Sequence, residues 1–344
     1  MKLLNKNEQQ IFIAEKQHSV KNFLVFIVMA GFLVSCHSAT QKSANEEKVI
    51  NIPVFDSDSA FSFVQRQVDF GPRVPNTPAH DACANFFVAT LKSFGAQVTT
   101  QQMDLRTFDG TLLHAVNIIA SYLPESETRI LLFAHWDSRP WADNDPNPKN
   151  REKPVLGAND GASGTGVLLE IARQLGKNPA NVGVDIVFFD AEDWGASNDD
   201  QTSNTENSWC LGAQYWAKHP HKQGYHARYG ILLDMVGAPQ ATFYREQYSE
   251  YYAAHVVDKV WSQAQNLGFG QYFINQKGGG IMDDHVFVNQ MAGIPSINII
   301  HFDPNTSSGF GNYWHTTHDD MSNIDKNTLF AVGTTLMNVI YNEK

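Results

Sequence analysis

Short runs of nearly unbroken apolar residues constrain this chain more than any other feature: Arg129–Ala134 (RILLFA), Val184–Asp190 (VDIVFFD) and Tyr229–Met235 (YGILLDM). Runs this short, apolar at successive positions rather than alternate ones, predict strands buried on both faces. Ile294–Ile300 reads as a further one. Between them, apolar residues at 167, 168, 171, 172 and 175 carry a helical period, and 250–267 and 327–341 read the same way. Upstream, Ala60, Phe61, Val64 and Val68 predict a helix over 56–70. A second runs from about His80 to Phe94 and stops at Gly95, and 96–105 and 111–122 alternate as two strands. Strands alternating with helices specify an α/β domain with a central twisted, mostly parallel (mixed) sheet and helices on both faces. Neither an internal repeat nor a linker follows residue 55, so 55–344 reads as one domain.

In open α/β sheets the chemistry gathers in the loops beyond the carboxyl ends of the strands. Each buried run here ends in polar residues: His135-Trp136-Asp137, Asp190-Ala191-Glu192-Asp193, and Asp234. Asp160 in GANDGASG, Asp283-Asp284-His285 and Trp314-His315 complete the set. One carboxylate at a strand end can simply cap the next helix. Recurrence in successive loops is another matter, because crowded carboxylates repel one another unless a cation lies among them. The three cysteines, at 36, 83 and 210, cannot build a zinc site, so a metal would take His and carboxylate ligands. That mixture favours zinc over calcium. The run Asp143-Asn-Asp145-Pro-Asn147 imitates half a calcium loop but lacks its glycine and its closing Glu. The formal charge of −11 argues against nucleic acid as a partner, and 12% aromatic residues argue against disorder.

The amino terminus reads as an address. Lys2, Lys6, Lys16 and Lys21 precede a short apolar core, Phe23–Val34, too short to span a bilayer as a helix. Leu33-Val34-Ser35-Cys36 resembles the bacterial lipoprotein box, in which the Cys becomes lipidated residue one. The expected organisation is a signal peptide over 1–35, a tether over 36–54, and a periplasmic domain held to the bacterial membrane, the outer one, through lipid on Cys36 alone. Without residues 1–35, which hold four Lys and two Glu, 21 basic and 34 acidic residues remain, a net charge of −13. Whether Cys83 and Cys210 pair stays open at this level.

Taken in order, FGPRVPNTP, FAHWDS, GANDGASG, IVFFDAEDW, LLDMVGAP, GGIMDDHVFV, GIPSINII and YWHTTHDD resemble the animal-type (type II) glutaminyl-peptide cyclotransferases, or glutaminyl cyclases, within the zinc aminopeptidase clan. The resemblance implies one zinc ion per chain, on Asp160, Asp193 and His315, with Glu192 as general acid/base. It also implies Asp234 and Asp283 as hydrogen-bonding acids and Trp314 as a pocket wall, with Trp194 and His135 as further substrate-binding positions. The family usually shows Glu-Glu where this chain has Glu192-Asp193. The paired cysteines of animal members are absent, with Ala134 and Thr165 at roughly those places.

The implied reaction is cyclisation of the N-terminal glutamine of peptides and proteins to pyroglutamate, with release of ammonia. Two other readings compete. One is a di-zinc aminopeptidase of the same clan, for which His135 and Asp234 would supply the second-metal ligands. The other is a binding protein on that fold without the chemistry.

Overall fold

A computed structural model describes residues 51–197 and 207–344. The expected signal peptide, Cys36 and most of the tether lie outside the described residues. The first helix, α1 (Ser57–Val68), starts where Asp56 accepts hydrogen bonds from the N–H groups of Asp58 and Ser59. The second, α2 (Pro78–Ser93), is capped by Thr77 and has proline in its first turn. It gives way to Gly95, whose φ of +83° few other residues adopt.

Strands β1 (Gln97–Arg106) and β2 (Leu112–Tyr122) form an antiparallel pair, and β2 continues antiparallel onto β4 (Gly183–Phe189). Then β3 (Arg129–His135), β5 (Gly230–Asp234) and β8 (Ser296–Ile300) follow in parallel, giving the order β1-β2-β4-β3-β5-β8. All seven residues of β3 and all seven of β4 are buried, as apolar runs covered on both faces must be. Because β4, β3, β5 and β8 run the same way, their carboxyl ends open on one edge of the sheet, and four of the polar clusters arrive there together.

Helix α3 (Ala162–Lys177) packs against β3 and β5 and is buried over most of its length. A Cβ on its Gly164 would lie 2.2 Å from the carbonyl oxygen of Leu233 in β5, so only glycine allows this approach. Inside the sheet, Arg129 clamps Asp185 with two bonds, Nε to Oδ2 at 2.6 Å and Nη2 to Oδ1 at 2.7 Å. Helices α5 (Gln247–Asn266) and α7 (Lys326–Tyr341) complete the layers.

Three elements had no clear sequence signal. They are α4 (Leu211–Lys218), the single turn α6 (Asp284–Phe287), and a two-stranded parallel sheet of β6 (Phe243–Arg245) and β7 (Phe273–Lys277). Each is too short for periodicity to register. Helix α5 also begins earlier than expected, because Ala253 kinks it with non-helical φ and ψ after a first turn capped by Glu246. Cys83 and Cys210 are both buried free thiols. Among the described residues no helix is long and apolar enough to cross a membrane.

Candidate metal centre

Three of the strand-end loops bring Asp160, Asp193 and His315 together, buried, with ligand atoms within 4.8 Å of one another. His315 Nε2 lies 3.3 Å from Asp193 Oδ1 and 3.6 Å from Asp160 Oδ2. Donors bound at 2.0–2.2 Å in a tetrahedron stand roughly 3.3–3.6 Å apart, so these separations fit a zinc ion between them.

Each ligand is held from behind. Asp319 accepts the N–H groups of Asn159 and Asp160 at 2.8 and 3.0 Å. Asp137 accepts those of Glu192 and Asp193, both at 3.1 Å, after a turn in which Ala191 takes a positive φ of 53°. His315 itself sits at φ +54°, a strained position for a residue with a side chain. Its ring stacks on Trp314 at 3.8 Å and faces Trp209 at 5.8 Å.

A second trio shares Asp160: His135, Asp160 and Asp234. Here His135 Nε2 lies 3.0 Å from Asp160 Oδ1, a hydrogen-bond distance, and 3.4 Å from Asp234 Oδ1. Burial opposes charge on His135, yet the carboxylates of Asp137, Asp160 and Asp234 raise its pKa well above the usual value.

Beside the first trio, Glu192 points toward Cys210 and Asp283, a third buried group within 4.8 Å. The Cys210 thiol donates to Glu192 Oε1 at 3.3 Å, from a residue in left-handed conformation at the head of α4. Asp283 Oδ2 accepts from Asn298 Nδ2 at 2.6 Å, and Asp283 caps α6. Burial pushes the carboxyls of Glu192, Asp234 and Asp283 upward, and neighbouring acids add to this for Glu192 and Asp234. Asp234 Oδ1 and both oxygens of Asp284 are buried without a hydrogen-bond partner. Such a surplus of buried acid matches a site built for a cation.

The sequence-selected residues Asp160, Glu192, Asp193, Asp234, Asp283, His135, Trp314 and His315 therefore fall in one set of adjoining buried groups. Trp194 differs. It packs edge-on against Trp141 at 5.8 Å, beside the Met103, Leu113, Ala115 and Ala191 cluster, and donates to Asp109. The tryptophan facing His315 on its other side is Trp209, fifteen positions further on in a stretch without periodicity. Cys36 lies outside the described residues. The sequence offered no signal for Arg139, and for Asp143 only the run that imitates half a calcium loop. His285 lies 3.1 Å from Glu246 instead of facing the metal ligands, and His301 pairs with the Tyr313 hydroxyl.

Known proteins resemble the chain along most of its length. The sequence profile of peptidase family M28 matches residues 117–340. The solved glutaminyl cyclase of Bacteroides thetaiotaomicron, bound to N-acetylhistamine, is 56% identical, covering 86% of this chain and 100% of its own at a TM-score of 0.84. A glutaminyl-peptide cyclotransferase of Drosophila melanogaster is 27% identical over 74% of this chain and 72% of its own. Aminopeptidase YwaD of Bacillus subtilis is 28% identical over 74% of this chain, which spans only 50% of that relative's length.

Proposed function

The chain belongs to peptidase family M28, and from that premise we propose that it is a zinc-dependent glutaminyl-peptide cyclotransferase. It converts the N-terminal glutamine of peptides and proteins to pyroglutamate and releases ammonia. One observation carries the choice of reaction. A buried carboxylate, Glu192, stands beside the Asp160/Asp193/His315 trio, facing a second acid, Asp283, with no Ser or Thr nucleophile needed. One zinc per chain fits the spacing around His315, whereas His135 sits at hydrogen-bond distance from Asp160.

When bound by Asp160, Asp193 and His315, zinc acts as a Lewis acid toward the γ-amide carbonyl of the substrate. The chain's own groups do the rest. The nucleophile is the substrate's α-amine, whose nitrogen forms a bond to the γ-carbon while the bond from that carbon to the amide nitrogen breaks. Glu192 accepts the proton that the amine loses and delivers it to the departing nitrogen, which leaves as ammonia. Asp283, steadied by Asn298, accepts hydrogen bonds from that nitrogen. Asp234 stands beside His135, its Oδ1 3.4 Å from the ring Nε2. Trp314 and Trp209 stack against the His315 ring and hold it from both sides. A lipid on Cys36 would hold the enzyme to the periplasmic face of a bacterial membrane, as the lipoprotein box implies.

The trio that shares Asp160 with His135 and Asp234 favours one alternative, a di-zinc aminopeptidase. Metal analysis of the purified protein, with assays on a Gln-first and a Leu-first peptide in the presence and absence of a chelator, separates the two. The expected result is one zinc per chain, ammonia from the Gln-first peptide and no free leucine. Two zinc ions with leucine release would replace the cyclase reading.

A further inference from the structure

Two of the three proposed zinc ligands are gripped by one segment, the loop after β3. Arg139, fully buried, bonds to Asp143 with two arms, Nε to Oδ1 at 2.7 Å and Nη2 to Oδ2 at 2.8 Å. Its remaining nitrogen, Nη1, donates to the carbonyl of Asp193 at 2.9 Å and that of Gly195 at 3.2 Å, and lies 3.4 Å from Asp193 Oδ1. Asp143 Oδ1 in turn stands 3.3 Å from His315 Nδ1, the ring nitrogen facing away from the other ligands. The next residue, Asn144, donates its N–H to the main-chain carbonyl of His315 at 3.1 Å. Ser197 ties the two halves together, donating to Asp143 Oδ2 at 2.7 Å. Trp209, which faces the His315 ring, lies under the Arg139 guanidinium at 4.6 Å.

We propose that Arg139 and Asp143 are the positioning pair of the metal centre. Asp143 fixes the ring of His315 and its tautomer, so that Nε2 meets the metal, while Arg139 holds Asp193 in place and balances its charge. The pair thereby sets zinc affinity. The inference rests on the Asp160/Asp193/His315 reading and assigns function to a loop otherwise seen as a connector. A metal-bound imidazole needs its far nitrogen held by an acceptor, since a free ring turns and offers either nitrogen. Here the backbone of His315 is strained as well, so ring and main chain both need an external hold, and residues 143 and 144 supply one to each.

The test is zinc affinity, read by competition with a chromophoric chelator on the full chain. Asp143→Ala is expected to weaken zinc binding by about 10–100-fold, the usual effect of losing such a partner. Asp143→Asn keeps an oxygen for His315 but loses the charge facing Arg139, and should fall between Asp143→Ala and wild type. Arg129→Met, which breaks a buried ion pair remote from the site, is the reference for mere destabilisation. It should lower the melting temperature and leave zinc affinity alone. The visible spectrum of the cobalt-substituted protein should change in Asp143→Ala and stay constant in Arg129→Met. Zinc affinity in Asp143→Ala equal to that of wild type, or lowered only as far as in Arg129→Met, overturns the proposal. Should Asp143→Ala not fold, the same comparison on Asp143→Asn decides. A wild-type protein that holds no zinc removes the metal reading itself, an outcome distinct from zinc-loaded wild type with unaffected Asp143 variants.

Discussion

Glu192→Gln is the most exacting perturbation of the proposed chemistry, because it removes a proton acceptor while keeping the shape. Glu192 is 6% exposed, its N–H is held by Asp137 at 3.1 Å, and its Oε1 accepts from the Cys210 thiol at 3.3 Å. A glutamine retains an oxygen for that thiol and the same backbone bond, so the loop and the adjacent ligand Asp193 should stay in place. What disappears is the base that takes a proton from the attacking amine and returns it to ammonia. A positioned general acid/base is worth about 10²–10⁴-fold, or roughly 2.7–5.4 kcal/mol of barrier at 1.36 kcal/mol per decade. Asp283 lies within 4.8 Å in the same buried group and can accept part of the proton traffic, so the lower half of that range is expected.

The assay measures ammonia release from a Gln-first peptide, with the mass of the product as a check, alongside zinc content and a thermal melt. The fall should appear in kcat with KM little changed, since Glu192 contributes to the reaction step more than to binding. Zinc content should match wild type. Full kcat with normal zinc would remove Glu192 from the mechanism. Loss of zinc together with activity would instead make Glu192 a ligand and require a new assignment of the trio.

Other consequences reach beyond the cleft. Arg129→Met leaves Asp185 as an uncompensated buried charge and should cost about 3–5 kcal/mol in urea unfolding, with Arg129→Met/Asp185→Leu recovering part of it; equal losses in single and double variants would count against the pair. Gly164→Ala drives a Cβ into the Leu233 carbonyl, which cannot swing aside like a side chain, so a loss of about 1–3 kcal/mol is expected, and a neutral result would contradict the close approach of α3 to β5. Burial alone would lower the pKa of His80, but the Asp190 carboxylate at 2.8 Å overrides it and raises the pKa above 6.5. The folded state thus binds this proton more tightly than the unfolded chain, so its contribution is complete below pH 6.5 and is lost as pH rises through the folded value. Unfolding midpoints across that window should fall less steeply in His80→Gln than in wild type; parallel curves would show that His80 carries no such linkage.

The parallel strands were legible because burial on both faces leaves a mark that needs no partner: RILLFA and VDIVFF can be soluble only if something covers them on each side. The acids at their ends were legible for a related reason, since charge that directly follows a buried strand must lie at the sheet's edge. Asp160, Glu192, Asp193, Asp234 and His315 could be named from those positions with the family resemblance alongside. Arg139 and Asp143 could not. In sequence they sit in an Asp/Asn/Pro-rich stretch whose nearest likeness was half a calcium loop, and their partners Asp193 and His315 lie far along the chain. Trp194 and Trp209 were likewise indistinguishable by type, and only the path of the chain after β4 shows which one faces His315.

By itself, then, the sequence determined which segments become buried strands, where each strand ends, and which acids and imidazoles stand at those ends, since all of these follow from local patterns of apolar and charged residues. The tertiary structure alone decided which of those groups meet. The order β2-β4-β3-β5-β8 sets loops from 137, 160, 193, 234 and 315 side by side, and packing then fixes the separations of 3.0–3.6 Å between their ligand atoms at His135 and His315. Such distances depend on packing between residues from 25 to more than a hundred positions apart, and no local pattern encodes them.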